Sequence, residues 1–335
     1  MRLAFLEPLE PRLAEYPARY LGGHDVLLPT QPGTLPEGIE DAEAVVWSSY
    51  PVDAKLINSL PKLRLMQRIG LIRAKGDATA ALAKGIPVSV TPHGVSDRVA
   101  QHAMALTLDV VKKITQGHIH LHAGRNPDNL PEEQAGGPAN ALNWTRTPDV
   151  GTLNDKTVGI IGFGEIGACF TRLLKPYNCR VLYYKRTRLE PDMERYFGIE
   201  YASLDGLLSQ SDIVQAFLPI TEETRKMLTA REFARMKPGS IFINVGRGNT
   251  VDENALIDAL RNGPMAFAGL DVYAVEPLPM TSPLRTLENL VLTPHSAGGV
   301  YGMNNVFERI AENLRRVEAG EPIMFPLQRG DPQPS

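Results

Sequence analysis

The chain has few cysteines, no long hydrophobic run and no excess of one charge. Two cysteines among 335 residues cannot build a disulfide framework, so we expect a reducing, cytoplasmic environment. No segment reaches the about 18 uninterrupted apolar residues of a membrane span, and the first residues resemble a strand rather than a signal peptide. The net charge of −3, with both signs interspersed, argues against a nucleic-acid partner.

Short apolar runs alternate with amphipathic segments along the chain, which predicts parallel sheets joined by helices and an α/β fold. Strands are expected at residues 3–6, 26–28, 44–47, 63–69, 87–90, 158–161, 180–184, 212–217, 240–245, 266–270 and 290–292. One long helix is expected over 97–117 and a last helix over 300–319. Residues 123–148 are rich in glycine, proline and asparagine without periodicity and predict a loop or arm.

The most informative segment is Gly162-Phe163-Gly164-Glu165-Ile166-Gly167, which follows an apolar run and precedes a helical pattern. In this context the first glycine permits a tight turn, the second lets the backbone approach phosphates, and the third lets the helix close on the strand. The motif predicts a dinucleotide pyrophosphate site; an ordinary glycine turn is the alternative. Since such a unit usually opens its own domain, the residues before it should form a second one.

The residues after the second strand of this unit indicate the coenzyme. An NAD-binding unit has an acidic residue there, about 20 positions past the glycines. This chain instead has Lys185, Arg186, Thr187 and Arg188. Three cations and a hydroxyl suit the 2′-phosphate of NADP. The sequence therefore favours NADP over NAD, unless this turn is merely solvated.

Three later strands end in residues that carry chemistry, namely Arg247, Glu276 and His295. The carboxyl ends of parallel strands meet at one edge of a sheet, where ligands bind in doubly wound folds. Reduction of a carbonyl by hydride needs a proton donor, a cation that polarises the substrate, and a carboxylate that keeps the donor protonated. These residues supply all three groups, although each alone could be structural.

The order and spacing of these motifs resemble the D-2-hydroxyacid dehydrogenase family. The resemblance runs from about residue 60 to 320 and includes Val99-Ala100-Gln101-His102-Ala103, Leu218-Pro219 with Thr224, and Met236-Lys237-Pro238-Gly239. It implies that His295 is the general acid or base, Glu276 its partner and Arg247 the group that orients the substrate, while Asp271 bonds the nicotinamide carboxamide. It further implies coenzyme contacts at Gly162, Gly164, Glu165, Ile166, Gly167, Leu218, Pro219, Thr224, Val245, Gly246 and Gly298.

The family fold is two Rossmann-like, doubly wound parallel-sheet domains around a cleft. By resemblance, residues 1–97 and 299–335 form the substrate domain and residues 98–298 the dinucleotide domain. Within the latter, 118–149 is an arm, and the long helix and arm mediate a homodimer.

The substrate loop departs from the family pattern. Where the family has a glycine-rich loop whose amides hold a carboxylate, this chain continues from Gly70 with Leu71, Ile72 and Arg73, and with a second cation at Lys75. The two cations either meet a second acidic group on the substrate or face solvent. We expect Leu71, Ile72 and Arg73 to contact the substrate.

Histidines at 118, 120 and 122 raise the question of a metal. Only His118 and His122 share a helical face, and no carboxylate or cysteine completes a set, so a surface helix end is expected and no metal.

The expected function is NADP-preferring reduction of a small 2-oxo acid, or the reverse oxidation of a D-2-hydroxy acid. Oxidation of a small anion such as formate or phosphite is the alternative among enzymes. A nucleotide-sensing scaffold without catalysis is the alternative of another class, and the intact Arg247, Glu276 and His295 set argues against it.

Overall fold

The structure is a computed structural model that describes residues 1–71, 76–92, 94–130, 132, 142–299, 303–328 and 331. Within these residues two parallel sheets carry the fold, one of five strands and one of seven. None of the described helices is both long and apolar enough to cross a bilayer.

The first sheet contains the strands of the N-terminal part of the chain. They are β1 (Arg2–Phe5), β2 (Asp25–Leu27), β3 (Ala44–Trp47), β4 (Leu65–Ile69) and β5 (Val88–Thr91). Their order is β2-β1-β3-β4-β5. Short helices join them, namely α1 (Tyr16–Tyr20), α2 (Ala54–Asn58) and α3 (Thr79–Ala83). All residues of β3, β4 and β5 are buried, as expected for strands covered on both faces.

Two helices follow where one was expected, α4 (Ser96–Lys112) and α5 (Ile114–His122). Lys113 between them adopts a left-handed φ of 57°. Its ammonium packs over the ring of Phe267, 2.8 Å from the centroid, and burial lowers the pKa of Lys113 to about 8. The Asp109 carboxylate of α4 accepts bonds from the Thr115 amide and hydroxyl at 2.7 and 2.6 Å, which satisfies one of the free amides in the first turn of α5.

The second sheet contains β6 (Thr157–Ile161), β7 (Arg180–Tyr184), β8 (Ile199–Tyr201), β9 (Ile213–Ala216), β10 (Ser240–Asn244), β11 (Met265–Leu270) and β12 (Leu290–Leu292). Its order is β12-β11-β10-β9-β6-β7-β8, so the strand order reverses between β6 and β9. Its helices are α6 (Glu165–Leu174), α7 (Pro191–Phe197), α8 (Leu204–Gln210), α9 (Ala230–Phe233) and α10 (Glu253–Asn262). The three-residue edge strand β8 was not predicted.

The last helix, α11 (Asn304–Ala319), returns to the first sheet. Its side chains Val306, Phe307, Ile310 and Leu314 share a core with β1, β3 and β4. Helix α4 instead packs against α6 and β11 of the second sheet. The α/β fold with two doubly wound parallel sheets, predicted from the sequence, is confirmed. Residues 118–122, expected within the arm, are the end of α5.

Candidate active site

The turn between β6 and α6 has the geometry that a pyrophosphate needs. Gly162 adopts a φ of +91°, where a side chain would be strained. A Cβ on Gly164 would meet no described heavy atom within 4 Å, so this side of the turn is open. A Cβ on Gly167 would lie 3.2 Å from the ring of Phe163 and 3.4 Å from the side chain of Ile160 in β6, which shows how closely the helix approaches the strand. The amides that open α6 therefore face a space in which a dinucleotide phosphate fits.

Glu165, the first residue of α6, links this turn to the first sheet. Its buried carboxylate accepts a hydrogen bond from the Leu71 amide at 2.7 Å. We expected that amide to hold the substrate, and the structure instead engages it with Glu165. The predicted contacts of Ile72 and Arg73, and the second cation Lys75, lie outside the described residues.

The basic side chains of the turn after β7 have different surroundings. Arg188 donates from Nε and Nη2 to the carboxylate of Glu194, both at 2.8 Å, and the Tyr183 hydroxyl donates to the same carboxylate at 2.7 Å. Arg188 thus braces α7 against β7. Lys185 is half-buried and Arg186 is exposed, directly after the end of the strand.

The loop after β10 approaches the glycine turn through Leu218. A Cβ on Gly246 would lie 2.8 Å from the carbonyl oxygen of Leu218, and a Cβ on Gly162 would lie 3.1 Å from the Leu218 side chain. Pro219 follows at once, and its carbonyl accepts the Thr224 hydroxyl at 2.6 Å. The predicted coenzyme contacts of these two loops and the glycine turn therefore lie side by side.

Arg247 follows at the end of the same loop. The Asn244 side chain accepts from the Gly246 amide at 3.0 Å, and the Thr250 hydroxyl donates to the Arg247 carbonyl at 2.7 Å. These bonds fix the backbone, while the Arg247 side chain is exposed and donates from Nη1 to the Gly246 carbonyl at 2.6 Å. The guanidinium is held at the carboxyl edge of the sheet.

His295 and Glu276 form the pair that the sequence predicts. Nδ1 of His295 lies 2.6 Å from Oε2 of Glu276, and Oε1 accepts the Tyr273 amide at 2.9 Å. Because a carboxylate only accepts, Nδ1 carries the proton and Nε2 is left for a substrate. The His295 side chain is 44% exposed, and its φ of 52° is a strained conformation typical of functional sites.

Asp271 at the end of β11 lies beneath the His295 loop. Its fully buried carboxylate accepts from the Thr293 hydroxyl at 2.7 Å and from the amides of Ser296 and Ala297, both at 2.9 Å. Tyr273 adds a hydrogen bond from its hydroxyl to the Thr293 carbonyl at 2.7 Å. Burial raises the pKa of Tyr273 to about 12, so the phenol stays a donor.

Tyr273 and Thr293 were missed as site residues. The signal was available, since both lie inside the segments that carry Glu276 and His295. Gly298, the remaining predicted coenzyme contact, follows the residues bonded by Asp271, and a Cβ there would lie 3.8 Å from Val95.

In the described part of the chain, the three histidines of α5 contact one another or a threonine. His118 and His122 meet edge to face with ring centroids 4.3 Å apart, and Nδ1 of His120 lies 2.9 Å from the Thr147 hydroxyl. Among the residues that the structure describes, no three histidine, cysteine, aspartate or glutamate side chains are grouped to bind a metal ion.

The site thus joins an open glycine turn, a cation, and an imidazole paired with a carboxylate at one edge of a parallel sheet. Such a set can hold an anionic carbonyl compound and deliver a proton to its oxygen.

The chain is similar to known proteins over most of its length. Residues 104–297 match the family described as "D-isomer specific 2-hydroxyacid dehydrogenase, NAD binding domain". The chain is 34% identical over 287 residues to the glyoxylate reductase of Korarchaeum cryptofilum (strain OPF8), covering 85% of this chain and 82% of the relative. It is 38% identical over 268 residues to glyoxylate/hydroxypyruvate reductase B of Shigella boydii serotype 4 (strain Sb227), covering 78% of each.

Among solved structures, a D-isomer specific 2-hydroxyacid dehydrogenase from Xanthobacter autotrophicus Py2, crystallised with NADPH and MES, is 27% identical. It superposes with a TM-score of 0.53 and 98% coverage of both chains.

Proposed function

The chain belongs to the D-isomer specific 2-hydroxyacid dehydrogenase family, and on that premise we propose that it is an NADPH-preferring reductase of small 2-oxo acids. The family reaction transfers hydride between NAD(P) and a 2-oxo acid or D-2-hydroxy acid. The observation that carries the proposal is the 2.6 Å pair of His295 and Glu276, which stands at the same sheet edge as the open glycine turn.

The residues present fit a nicotinamide dinucleotide. The α6 amides and the glycine turn would hold the pyrophosphate, Leu218, Val245 and Gly246 would flank it, and Asp271 would accept the nicotinamide carboxamide. Oδ2 of Asp271 accepts one bond, from Ala297, and the fully buried carboxylate would accept a second from the carboxamide once binding makes it accessible. When bound, the coenzyme supplies the hydride.

The chain's own residues supply the proton and the positive charge. His295 gives the proton on Nε2 to the carbonyl oxygen as negative charge develops there. Glu276 accepts from Nδ1 and so fixes the orientation of the imidazole. The Arg247 guanidinium matches a planar carboxylate with two donors and would orient the substrate.

The preference for NADPH rests on Lys185 and Arg186. They occupy the place where an acidic residue would accept from a ribose hydroxyl, and cations there favour a 2′-phosphate. The crystallised relative from Xanthobacter autotrophicus holds NADPH, which supports the proposal. Because Arg188 is engaged by Glu194, we assign the phosphate contacts to Lys185, Arg186 and the Thr187 hydroxyl.

Glyoxylate and hydroxypyruvate are the proposed substrates. The relatives from Korarchaeum cryptofilum and Shigella boydii are named for reduction of these small 2-oxo acids. We further propose that residues 1–97 and 299–335 form the substrate domain, which agrees with the packing of α11 on the first sheet, and residues 98–298 the dinucleotide domain.

We propose a homodimer formed through α5 and the residues after it. Ile114, Ile119 and Leu121 of α5 are 59, 57 and 53% exposed, and Trp144 and Val150 nearby are 46 and 52% exposed. An open cavity of about 200 Å³ lies between α5 and the later residues, and Leu121, Trp144 and Val150 are among the residues that line it. Apolar exposure of this kind marks an interaction surface. Light scattering during size-exclusion chromatography tests the proposed dimer. A molar mass equal to that of one chain would overturn it.

The proposed activity is tested by the initial rate of NADPH and of NADH oxidation with glyoxylate and hydroxypyruvate. We expect turnover with both acids and a higher kcat/KM for NADPH. Coenzyme binding without turnover of any 2-oxo acid would indicate a scaffold instead, and turnover of formate or phosphite alone would indicate the other enzyme class.

A further inference from the structure

We propose that His102 of α4 is a positioning residue for this reaction, which holds the His295 loop through Thr293 and Asp271. The inference rests on the proposed function, because it assigns His102 a part in the same site. Sequence motifs include His102 but give it no role, and it is 193 residues from His295 along the chain.

The contacts form a continuous series from α4 to the loop. Nε2 of His102 lies 3.0 Å from the Thr293 hydroxyl and 3.3 Å from Oδ1 of Asp271. The Thr293 hydroxyl is 2.7 Å from the same Oδ1. The carboxylate then accepts the amides of Ser296 and Ala297, the two residues that follow His295.

The direction of these bonds follows from their chemistry. An ionised carboxylate has no hydrogen to donate, so the single hydroxyl hydrogen of Thr293 points to Asp271. The Thr293 oxygen therefore accepts from His102, and Nε2 of His102 carries a hydrogen in either the neutral or the charged ring. His102 thus places a donor beside a buried carboxylate.

That donor has a specific consequence for catalysis. Asp271 is fully buried, and within the described residues His102 is the only basic side chain that forms an ion pair with it by distance. A buried carboxylate is stabilised by hydrogen-bond donors of this kind. The carboxylate in turn holds the backbone that keeps His295 at a positive φ, a conformation that persists only when neighbouring contacts enforce it.

The position of His102 also predicts which half of the coenzyme site its loss would disturb. Its partners lie at the ends of β11 and β12, and one of them, Asp271, is the proposed nicotinamide contact. Lys185 and Arg186 follow β7 on the other side of β6 in the same sheet. Loss of His102 should therefore disturb the nicotinamide end and leave the adenosine phosphate end intact.

The test compares His102→Ala with His102→Gln, whose amide keeps a donor. We expect His102→Ala to lower kcat with hydroxypyruvate by about 10- to 100-fold, the usual effect of losing a hydrogen bond to a charged group. The primary isotope effect with deuterated NADPH should rise, since hydride transfer becomes slower relative to product release. His102→Gln should recover most of kcat.

A second readout is coenzyme binding, measured by calorimetry without substrate. His102→Ala should weaken NADPH while leaving adenosine 2′,5′-bisphosphate, which lacks the nicotinamide, at the parent affinity. Thr293→Val removes the bridging hydroxyl and should produce the same selective loss. The double variant should lose less than the sum, because both changes break one series of contacts.

Thr107→Val is the matched control on α4. The Thr107 hydroxyl bonds the Ala103 carbonyl at 2.6 Å and the buried Gln215 amide at 2.8 Å, away from Asp271. Thr107→Val should lower the thermal midpoint and leave unchanged both kcat and the ratio of NADPH affinity to adenosine 2′,5′-bisphosphate affinity. A similar loss of kcat in Thr107→Val would overturn the proposal. So would a His102→Ala variant with the kcat and the NADPH affinity of the parent.

The result that would reject the proposed function differs from the result that would reject the role of His102. A parent that turns over no 2-oxo acid would reject the reductase activity, whereas the ratio of NADPH to fragment affinity still decides the role of His102. Equal weakening of both ligands in His102→Ala would show a merely structural role.

Discussion

The carboxylate of Glu165 accepts a hydrogen bond from the Leu71 amide at 2.7 Å. Glu165 opens the helix at the proposed pyrophosphate site, and Leu71 opens the proposed substrate loop. Arg68, just before that loop, is also buried. Burial lowers the pKa of its guanidinium to about 10, although the negative charge of Glu165 acts to raise it. The two binding regions therefore share one buried polar contact.

Removing that contact should act on substrate binding. We expect Glu165→Ala to raise KM for hydroxypyruvate about tenfold, the usual size of a lost hydrogen bond to a charged group, with a smaller change in NADPH affinity. Glu165→Gln keeps an acceptor and should recover most of the effect. Steady-state kinetics and calorimetry measure both.

Glu232→Ala is the control for this prediction. Glu232 is equally buried and accepts the Thr229 amide at 3.0 Å in the cap of α9, remote from the loop. It should lower the thermal midpoint without changing KM. If Glu165→Ala behaved in the same way, the contact would be structural only.

Glu276→Gln tests the pair with His295. The amide can still accept the Tyr273 amide hydrogen, but the charged acceptor that holds Nδ1 of the imidazole is gone. The ring of the proposed proton donor is then less firmly oriented, so kcat/KM for reduction should fall by about tenfold or more. Glu253→Gln is the control and should leave kcat/KM unchanged, because Glu253 of α10 accepts the amide of Ala274, in the same loop as Glu276, at 3.2 Å. Parent kcat/KM in Glu276→Gln would contradict the pairing.

The coenzyme assignment is tested by combining Lys185→Asp with Arg186→Ala. A 2′-phosphate carries close to two negative charges, so loss of two cations should raise KM for NADPH at least about tenfold. NADH should be spared or improved, because a carboxylate now accepts from the ribose hydroxyl. A parent that prefers NADH, or an unchanged ratio in the variant, would show that the basic turn is only solvated.

Arg188→Ala should affect stability rather than coenzyme choice. Arg188 holds the pKa of Glu194 below its ordinary value of 4.5, so the pair stabilises the fold above that pH and loses its effect as the pH falls through the lowered pKa. We expect a lower thermal midpoint than the parent at neutral pH, and this difference should fade as the pH falls below 4.5 through the lowered pKa of Glu194. Thermal unfolding against pH measures it. A tenfold rise in KM for NADPH would instead return Arg188 to the phosphate site.

The strands and the pair of His295 and Glu276 were predictable because their signals are local. Buried parallel strands are continuous apolar runs, and Arg247, Glu276 and His295 lie three to six residues after such runs. The break at Lys113 was not predictable, since no glycine or proline lies within three residues of it and the left-handed turn depends on packing against Phe267. The edge strand β8 is too short to show a period.

Contacts between distant segments were also beyond sequence patterns. The bonds of Glu165 to Leu71 and of His102 to Thr293 join elements 94 and 191 residues apart, and nothing in either local sequence marks the partner. The role of Arg188 did have a local signal. Glu194 follows six positions later in the first turn of α7, where a carboxylate partner could have been anticipated.

The central claim is hydride transfer from the nicotinamide to the carbonyl carbon of a 2-oxo acid, with His295 as the proton donor. The most direct test supplies NADPH labelled with deuterium at C4 and hydroxypyruvate, and analyses the product by NMR and chiral chromatography. We predict D-glycerate with deuterium at C2, and a rate lower by about 10²- to 10⁴-fold in His295→Asn at parent NADPH affinity. No labelled glycerate from the parent, or a His295→Asn variant that makes it at the parent rate, would contradict the account.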